Sequence, residues 1–185
     1  IKLPSISNFS DFDPLENEES LLIEWIRESQ NLNKYDFIIL PGSKQTIKDQ
    51  IFLENSGLSQ EIREYSNNHG NIIGICGGLQ MLGTSLEDPY SKEGPKIYSQ
   101  QKTKGIGLLP LKTTFFEKKL TRQINSESLW PCQSKISGFE IHNGHTELDN
   151  SHNSLKINPI FKDLNLGWYR ENKGGGTIAG TYVHG

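Results

Sequence analysis

The sequence predicts an α/β protein built on a central, mostly parallel sheet wound with helices, and two observations carry that reading. Strand, turn and helix signals alternate twice between Tyr35 and Leu82, the rhythm of parallel strands joined by helical crossovers. Both strands then end in turns rich in small residues, Pro41-Gly42-Ser43 and Cys76-Gly77-Gly78. In open sheets of this kind the ligand crevice lies beyond the carboxyl ends of the strands, so the two turns are expected to face each other across it.

The 185 residues suffice for one domain with a real core, although hydrophobic content is only 34%. A net charge of −3 gives no reason to expect a nucleic acid as partner. No run approaches the roughly 18 apolar residues of a membrane helix, and the N-terminus lacks signal-peptide architecture, so no membrane partner is expected. Cys76 and Cys132, the only cysteines, lie in unlike contexts. They read as reduced thiols, and a cytoplasmic location is expected.

In chain order, Ile1-Lys2-Leu3-Pro4 looks like a strand already under way, which suggests a piece cut from a longer protein. Ser5 to Pro14 is polar with interleaved aromatics and reads as an ordered loop, with Asp11 and Asp13 as solvated turn residues rather than cation ligands. Leu21 to Ile26 fits a strand or a short helix, which periodicity does not decide. Tyr35 to Leu40 is a buried strand. Helical spacing follows from Thr46 to Leu53, and again from Ser59 to Asn68 with Ser59 as N-cap.

Asn71 to Ile75 is the second strand. Gly74-x-Cys76-x-Gly78 then has the glycine spacing of a nucleophile elbow, with cysteine in place of serine. A nucleophile on a sharp strand-to-helix turn sits in a strained backbone, and small neighbours let chain and substrate approach it. The following helix points free N–H groups and the positive end of its dipole at the sulfur, which is expected to favour the thiolate. The plain alternative is a buried structural cysteine before a glycine-rich turn.

Farther on, Pro89 to Lys104 reads as an exposed connection containing Gly94-Pro95. Gly107 to Leu111 and Thr113 to Phe116 read as strand segments, and Leu120 to Cys132 is ambiguous. A strand at Gly138 to Ile141 precedes His142 and His145, and Thr177 to Val183 forms a strand after the Lys173-Gly174-Gly175-Gly176 turn.

Four motifs in order carry a family resemblance: Leu40-Pro41-Gly42-Ser43-Lys44-x-Thr46-Ile47, Gly74-Ile75-Cys76-Gly77-Gly78-x-Gln80-Met81-Leu82-Gly83, Glu140-Ile141-His142-x-Gly144-x-Thr146 and Gly180-Thr181-Tyr182-Val183-His184-Gly185. With the opening Leu3-Pro4-x-Ile6-Ser7-Asn8-Phe9-x-Asp11-Phe12-Asp13-Pro14-Leu15 block and Gly105-x-Gly107-Leu108-Leu109, the chain resembles the glutamine amidotransferase domain of cobyric acid synthases. The resemblance implies a class I glutamine amidotransferase-like, flavodoxin-like fold, with helices on both faces of the sheet and a partly antiparallel C-terminal portion. It implies glutamine as substrate, and ammonia supplied for amidation of corrinoid side-chain carboxylates b, d, e and g. The partner would be an N-terminal synthase domain that binds ATP, magnesium and the corrinoid; no cofactor is expected in the domain itself.

Amide hydrolysis needs a nucleophile, a base that accepts and returns a proton, and donors for the oxyanion. Cys76 is the candidate nucleophile, Gly77 N–H the first oxyanion donor, and the Gly42 turn the second. Gln80 lies one helical turn beyond Cys76 on the same face and, by similarity to class I amidotransferases, holds the substrate. Of five histidines, His184 ends a strand where it can meet the cysteine, and the family motif points to it as the base. Many class I enzymes place a glutamate two residues beyond this histidine, which the resembled family does not generally do. The acidic candidates for orienting it are Glu140 in the His142 motif and, more weakly, Glu147; for these, as for His142, a structural role is the alternative. No companion spacing around His142 and His145 supports a metal site. An interaction module of the same fold, and a cysteine hydrolase of small amides or peptides, are the readings from other functional classes.

Overall fold

The computed structural model describes residues 1–93, 102–152, 155–163, 165–172 and 174–185. After a single turn of 3-10 helix at Phe9–Phe12 come α1 (Asp13–Glu16), β1 (Phe37–Leu40), α2 (Thr46–Asn55), α3 (Leu58–Asn67), β2 (Asn71–Ile75) and α4 (Gly77–Leu82). Short strands follow: β3 (Ser85–Glu87), β4 (Lys102–Lys104), β5 (Leu111–Thr114), β6 (Leu120–Ser128), β7 (Ser134–His142) and β8 (His145–Leu148). The chain closes with β9 (Asn158–Pro159), β10 (Gly167–Glu171), β11 (Thr177–Thr181) and β12 (Val183–His184).

The central sheet runs β1-β2-β11-β10-β9, with β1, β2 and β11 parallel and β10 and β9 antiparallel to their neighbours. Its register aligns Leu40, Gly74 and Gly180 side by side. The three parallel strands therefore end level, and Pro41-Gly42, Cys76 and Tyr182-Val183-His184 leave the sheet at one edge. Two smaller sheets, β12-β7-β6 and β4-β3-β5-β8, flank it.

Side-chain alternation along the strands divides the core. Ile72 and Ile178 face one cluster together with Ile47, Leu53, Leu58, Ile62 and Leu79 of α2, α3 and α4. Ile73 faces the other way, into a second cluster with Ala179, Ile124, Ile136 and Phe161. Helices were expected on both faces; this second cluster is instead closed by the long β6–β7 hairpin. Hairpin residues such as Leu120-Thr121-Arg122-Gln123 alternate weakly and carry many polar groups, which left that segment ambiguous in sequence.

Other local expectations shift for identifiable reasons. Leu21 to Ile26 is neither strand nor helix, and Leu22 is 98% exposed. Ile1 N donates to Ile39 O at 2.8 Å without a ladder. α3 starts at Leu58 from a left-handed Gly57, so Ser59 is inside the helix and buried rather than its cap. Leu108 and Leu109 both donate to Leu82 O at 2.9 Å and wrap the end of α4, so only Leu111 onward enters a strand. Lys102–Lys104 pairs with β3 instead of running as a free connection. Gly94-Pro95 and Lys173 lie outside the described residues. No helix among the described residues is long and apolar enough to cross a membrane.

Candidate active site

Cys76 caps the N-terminus of α4 with φ 51° and ψ −107°, a left-handed backbone that non-glycine residues rarely adopt. The close packing behind it explains the glycine spacing. A Cβ on Gly74 would fall 2.5 Å from the Gly78 carbonyl carbon, and one on Gly78 only 1.9 Å from Leu40 O. The strand ends and the first turn of α4 thus touch backbone to backbone. Cys76 N–H donates to Thr181 O at 2.7 Å, and its Sγ–H to Ile141 O at 3.5 Å. Cys76 is 7% exposed, and burial pushes its thiol up to about 12, so the thiolate expected from the helix N-terminus is not favoured in the free protein. Gly77 N–H and Lys119 oppose that rise, while the charges of Glu93 and Asp11 add to it.

The Gly42 turn stands against this elbow, as its place in the sheet implied. A Cβ on Gly42 would lie 3.8 Å from Cys76 Cβ, and one on Gly77 would lie 2.8 Å from Ser43 N. Ser43 Oγ donates to Asp49 at 2.6 Å and accepts from Gln45 N at 2.9 Å, which fixes the turn to the start of α2.

A crevice of about 210 Å³ opens over Cys76, lined also by Ser7, Asn8, Lys44, Gln80, Glu93, Lys119, His142 and Asn143. Gln80 is buried, its Nε2 donating to Asn143 O at 3.0 Å and its Oε1 accepting from Thr46 Oγ1 at 3.4 Å. Glu93 is 6% exposed and takes hydrogen bonds from Thr46 N (3.2 Å) and Asn143 Nδ2 (2.7 Å). Two donors on its two oxygens indicate the ionised form, although burial raises its carboxyl above the usual range. No cation pairs with it among the described residues. A larger cavity of about 520 Å³, lined by Phe12, Trp25, Phe37 and Ile75, is apolar and contains neither Cys76 nor a histidine.

His184 lies in β12, just beyond the end of β11, and is buried; its Nε2 has no partner among the described residues. Its Nδ1 lies 2.7 Å from Asp11 Oδ2 and 3.1 Å from Asn8 Nδ2. Asp11, expected as a solvated turn residue, is therefore the carboxylate at His184.

Glu140, the sequence candidate for that place, is directed elsewhere. Its carboxylate accepts from His142 Nε2 at 2.8 Å and from Arg122. Burial would raise the Glu140 carboxyl, but these two hydrogen bonds outweigh it and hold it below the usual range. The His142 ring stacks on Tyr182 at 3.7 Å. Tyr182 OH in turn bonds Thr146 at 2.5 Å, and burial drives that phenol well above its ordinary range. Glu147 pairs with Lys112 at 3.0 Å on the β5–β8 ladder. His145 is exposed on β8, and Cys132 is an exposed thiol. No group of three or more His, Cys, Asp or Glu suited to a metal ion occurs among the described residues.

Asp11, Asn8 and Glu93 were missed as site residues. Asp11 and Asn8 had a usable signal, since an ordered polar loop studded with Phe9 and Phe12 must be anchored to something. Glu93 had none, because Ser91-Lys92-Glu93 has the composition of a surface loop.

Comparison with known proteins shows the family and the fold. A curated cobyric acid synthase from Prochlorococcus marinus (strain MIT 9312) is 85% identical over all 185 residues, and the chain spans 36% of its length. A crystal structure of a glutamine amidotransferase superposes on 97% of the chain and 86% of its own, with TM-score 0.66 and 13% identity. A structure of PurLQS from Thermotoga maritima covers 99% of the chain and 84% of its own, with TM-score 0.67 and 17% identity. These two share the fold. The model of the CobB/CobQ-like glutamine amidotransferase domain matches residues 1–185, so the chain belongs to that family.

Proposed function

We propose that this domain hydrolyses the side-chain amide of glutamine at Cys76 and releases ammonia. The observation that carries the reading is that a strained, crevice-facing Cys76, the Gly42 turn beside it and the buried, carboxylate-bound His184 all follow the level ends of the three parallel strands. In the reaction, Sγ attacks the amide carbonyl carbon as its proton passes to His184 Nε2. The oxyanion is received by Gly77 N–H and by the Gly42 turn. The imidazolium returns the proton to the departing nitrogen, which leaves as ammonia, and a γ-glutamyl thioester remains. Water, deprotonated by His184, cleaves the thioester to glutamate and restores the thiol.

The crevice suits an amino acid. Glu93, an anion without a cation partner among the described residues, offers a counter-charge to the substrate's ammonium, and Lys119, which also lines the crevice, offers one to its α-carboxylate. Gln80 is placed to hold the bound glutamine. The chain spans 36% of a cobyric acid synthase relative, which supports a synthase partner segment. Following the motif resemblance, we further infer that this segment is N-terminal and uses the ammonia in an ATP- and magnesium-dependent amidation of corrinoid carboxylates in cobalamin biosynthesis. Residues of this chain are assigned no part in holding ATP, magnesium or the corrinoid.

The test is labelling with the glutamine analogue diazo-oxo-norleucine, read by mass spectrometry. A single adduct on Cys76, absent in Cys76→Ala and prevented by glutamine, is the expected result. No adduct on the folded protein would point to an interaction module, and labelling only by peptide-directed electrophiles to a hydrolase of another class.

A further inference from the structure

We propose that Asp11 is a positioning residue of this site, holding His184 in the tautomer that leaves Nε2 free to take the Cys76 proton; the proposal rests on the Cys76–His184 reading above. A neutral imidazole nitrogen is a donor or an acceptor, never both. His184 Nδ1 faces two groups with opposite demands. Asp11 Oδ2, at 2.7 Å, only accepts and requires Nδ1–H; Asn8 Nδ2, at 3.1 Å, only donates and requires a bare Nδ1. The shorter, charge-assisted contact prevails. The proton then sits on Nδ1, and the lone pair is on Nε2. The imidazolium formed during the reaction keeps its Nδ1–H on the Asp11 carboxylate, which offsets its charge where the His184 side chain is itself fully buried.

The loop carrying Asp11 is held firmly enough for this task. Asn8 adopts a left-handed conformation (φ 51°, ψ 56°), and Asp11 N–H donates to Asn8 O at 3.0 Å. Phe12, 3% exposed, anchors the turn edge-on against Trp25 with ring centroids 5.2 Å apart. On the other side Phe139 stacks on the His184 ring at 5.3 Å and limits its rotation. The carboxylate thus comes from a segment 173 positions away in sequence, not from the strand that carries the histidine.

The test reads the tautomer directly, from the ring ¹⁵N shifts of His184 in the protein, assigned by difference with His184→Gln. The resting protein is expected to show Nδ1–H and an unprotonated Nε2. In Asp11→Ala only Asn8 addresses Nδ1, so the ring is expected to switch to Nε2–H. Glutamine hydrolysis should fall about a thousandfold in kcat, with KM within about threefold. Adding Asn8→Ala should return about tenfold of the loss and relax the tautomer bias. An Nε2–H tautomer in the unaltered protein overturns the proposal, and so does an unswitched ring in Asp11→Ala, whatever happens to kcat. The spectrum of the unaltered protein decides the matter even if the variant does not fold. Failure of the underlying reading looks different: Cys76→Ala would keep its glutaminase activity.

Discussion

Glu93 Oε1 accepts a 2.7 Å hydrogen bond from Asn143 Nδ2, and the two residues, 50 positions apart, form one wall of the crevice over Cys76. The same carboxylate faces the N-terminus of α2 through Thr46 N–H, so a capping role competes with a substrate-binding one. The two roles separate by substrate. If Glu93 pairs with the ammonium of glutamine, Glu93→Gln leaves that charge unpaired in a poorly solvated site and costs about 2 kcal/mol, or about 30-fold in kcat/KM. Glutaramate, which lacks the amino group, should be hydrolysed equally well by both proteins. Equal losses on both substrates would assign Glu93 to capping.

The same residue links stability to pH. Its carboxyl is raised in the folded protein, so the fold binds that proton more tightly than the unfolded chain does. The favourable contribution is present at acid pH and is lost as pH rises through the folded value. The difference in Tm between Glu93→Gln and the unaltered protein, whatever its offset from the changed hydrogen bonds, should therefore move in favour of the variant from about pH 4 to about pH 7.5. Thermal scans at the two pH values check this; a constant difference would show that Glu93 carries no raised affinity for its proton.

Much of this site was legible because its chemistry sits on local patterns. Gly74-x-Cys76-x-Gly78 announced a tight strand-to-helix turn, and the backbone contacts of Gly74 and Gly78 are the reason for the spacing. The strand ending in Leu40 and the strand ending in Ile75 pair in parallel, which brings the Gly42 turn beside Cys76. The partner of His184 was not legible, because Asp11 reaches it through a loop with no periodicity, and because Glu140 lay in a tempting motif beside another histidine. Glu140 points to His142 because both sit on β7, where residues two apart project from the same face. The β6–β7 hairpin was missed as a layer because its alternation is blurred by exposed polar residues on a flanking sheet.

The Cys76 thiol makes a further test. With burial pushing it up to about 12, the resting sulfur is expected to be protonated at neutral pH. In a Cys132→Ser background, which removes the exposed thiol, iodoacetamide should react slowly with Cys76 and about tenfold faster for each pH unit between about pH 7 and pH 9. The readout is the alkylated fraction by mass spectrometry. A rate that levels off below about pH 9 would mean a thiolate already formed in the free protein.

Glu140 is expected to act on stability. Its buried carboxylate joins His142 to Arg122, so Glu140→Ala strands both partners. Arg122 is partly exposed, which reduces the cost from that of a fully buried pair to about 2 kcal/mol, a fall in Tm of about 4–8 °C. The Glu140 carboxyl is held below its ordinary range, so its contribution is present above the unfolded value and disappears as pH falls through the folded one. Calorimetry should show the unaltered protein and the variant converging at acid pH. The His184 ring ¹⁵N pattern should be unchanged in Glu140→Ala; a switched tautomer would return Glu140 to the catalytic machinery.

The elbow itself can be tested by a single methyl group. A Cβ on Gly78 would stand 1.9 Å from Leu40 O and 2.9 Å from Pro41 O, both backbone atoms that cannot rotate away. Gly78→Ala therefore forces α4 off the ends of β1 and β2, and Cys76, as the residue that caps α4, moves with it. Overpacking against immobile backbone costs at least about 3 kcal/mol, which lowers Tm by about 6 °C or more. Diazo-oxo-norleucine labelling should fall further than stability alone explains, because the strained Cys76 backbone depends on that contact. Gly107→Ala is the comparison: φ there is +81°, yet nothing among the described residues lies within 4 Å of the added carbon, so only the left-handed penalty of about 1 kcal/mol applies. Its labelling of Cys76 should match the unaltered protein. Equal effects of the two substitutions would show that the glycine spacing around Cys76 serves backbone freedom and not the close approach of α4 to the sheet.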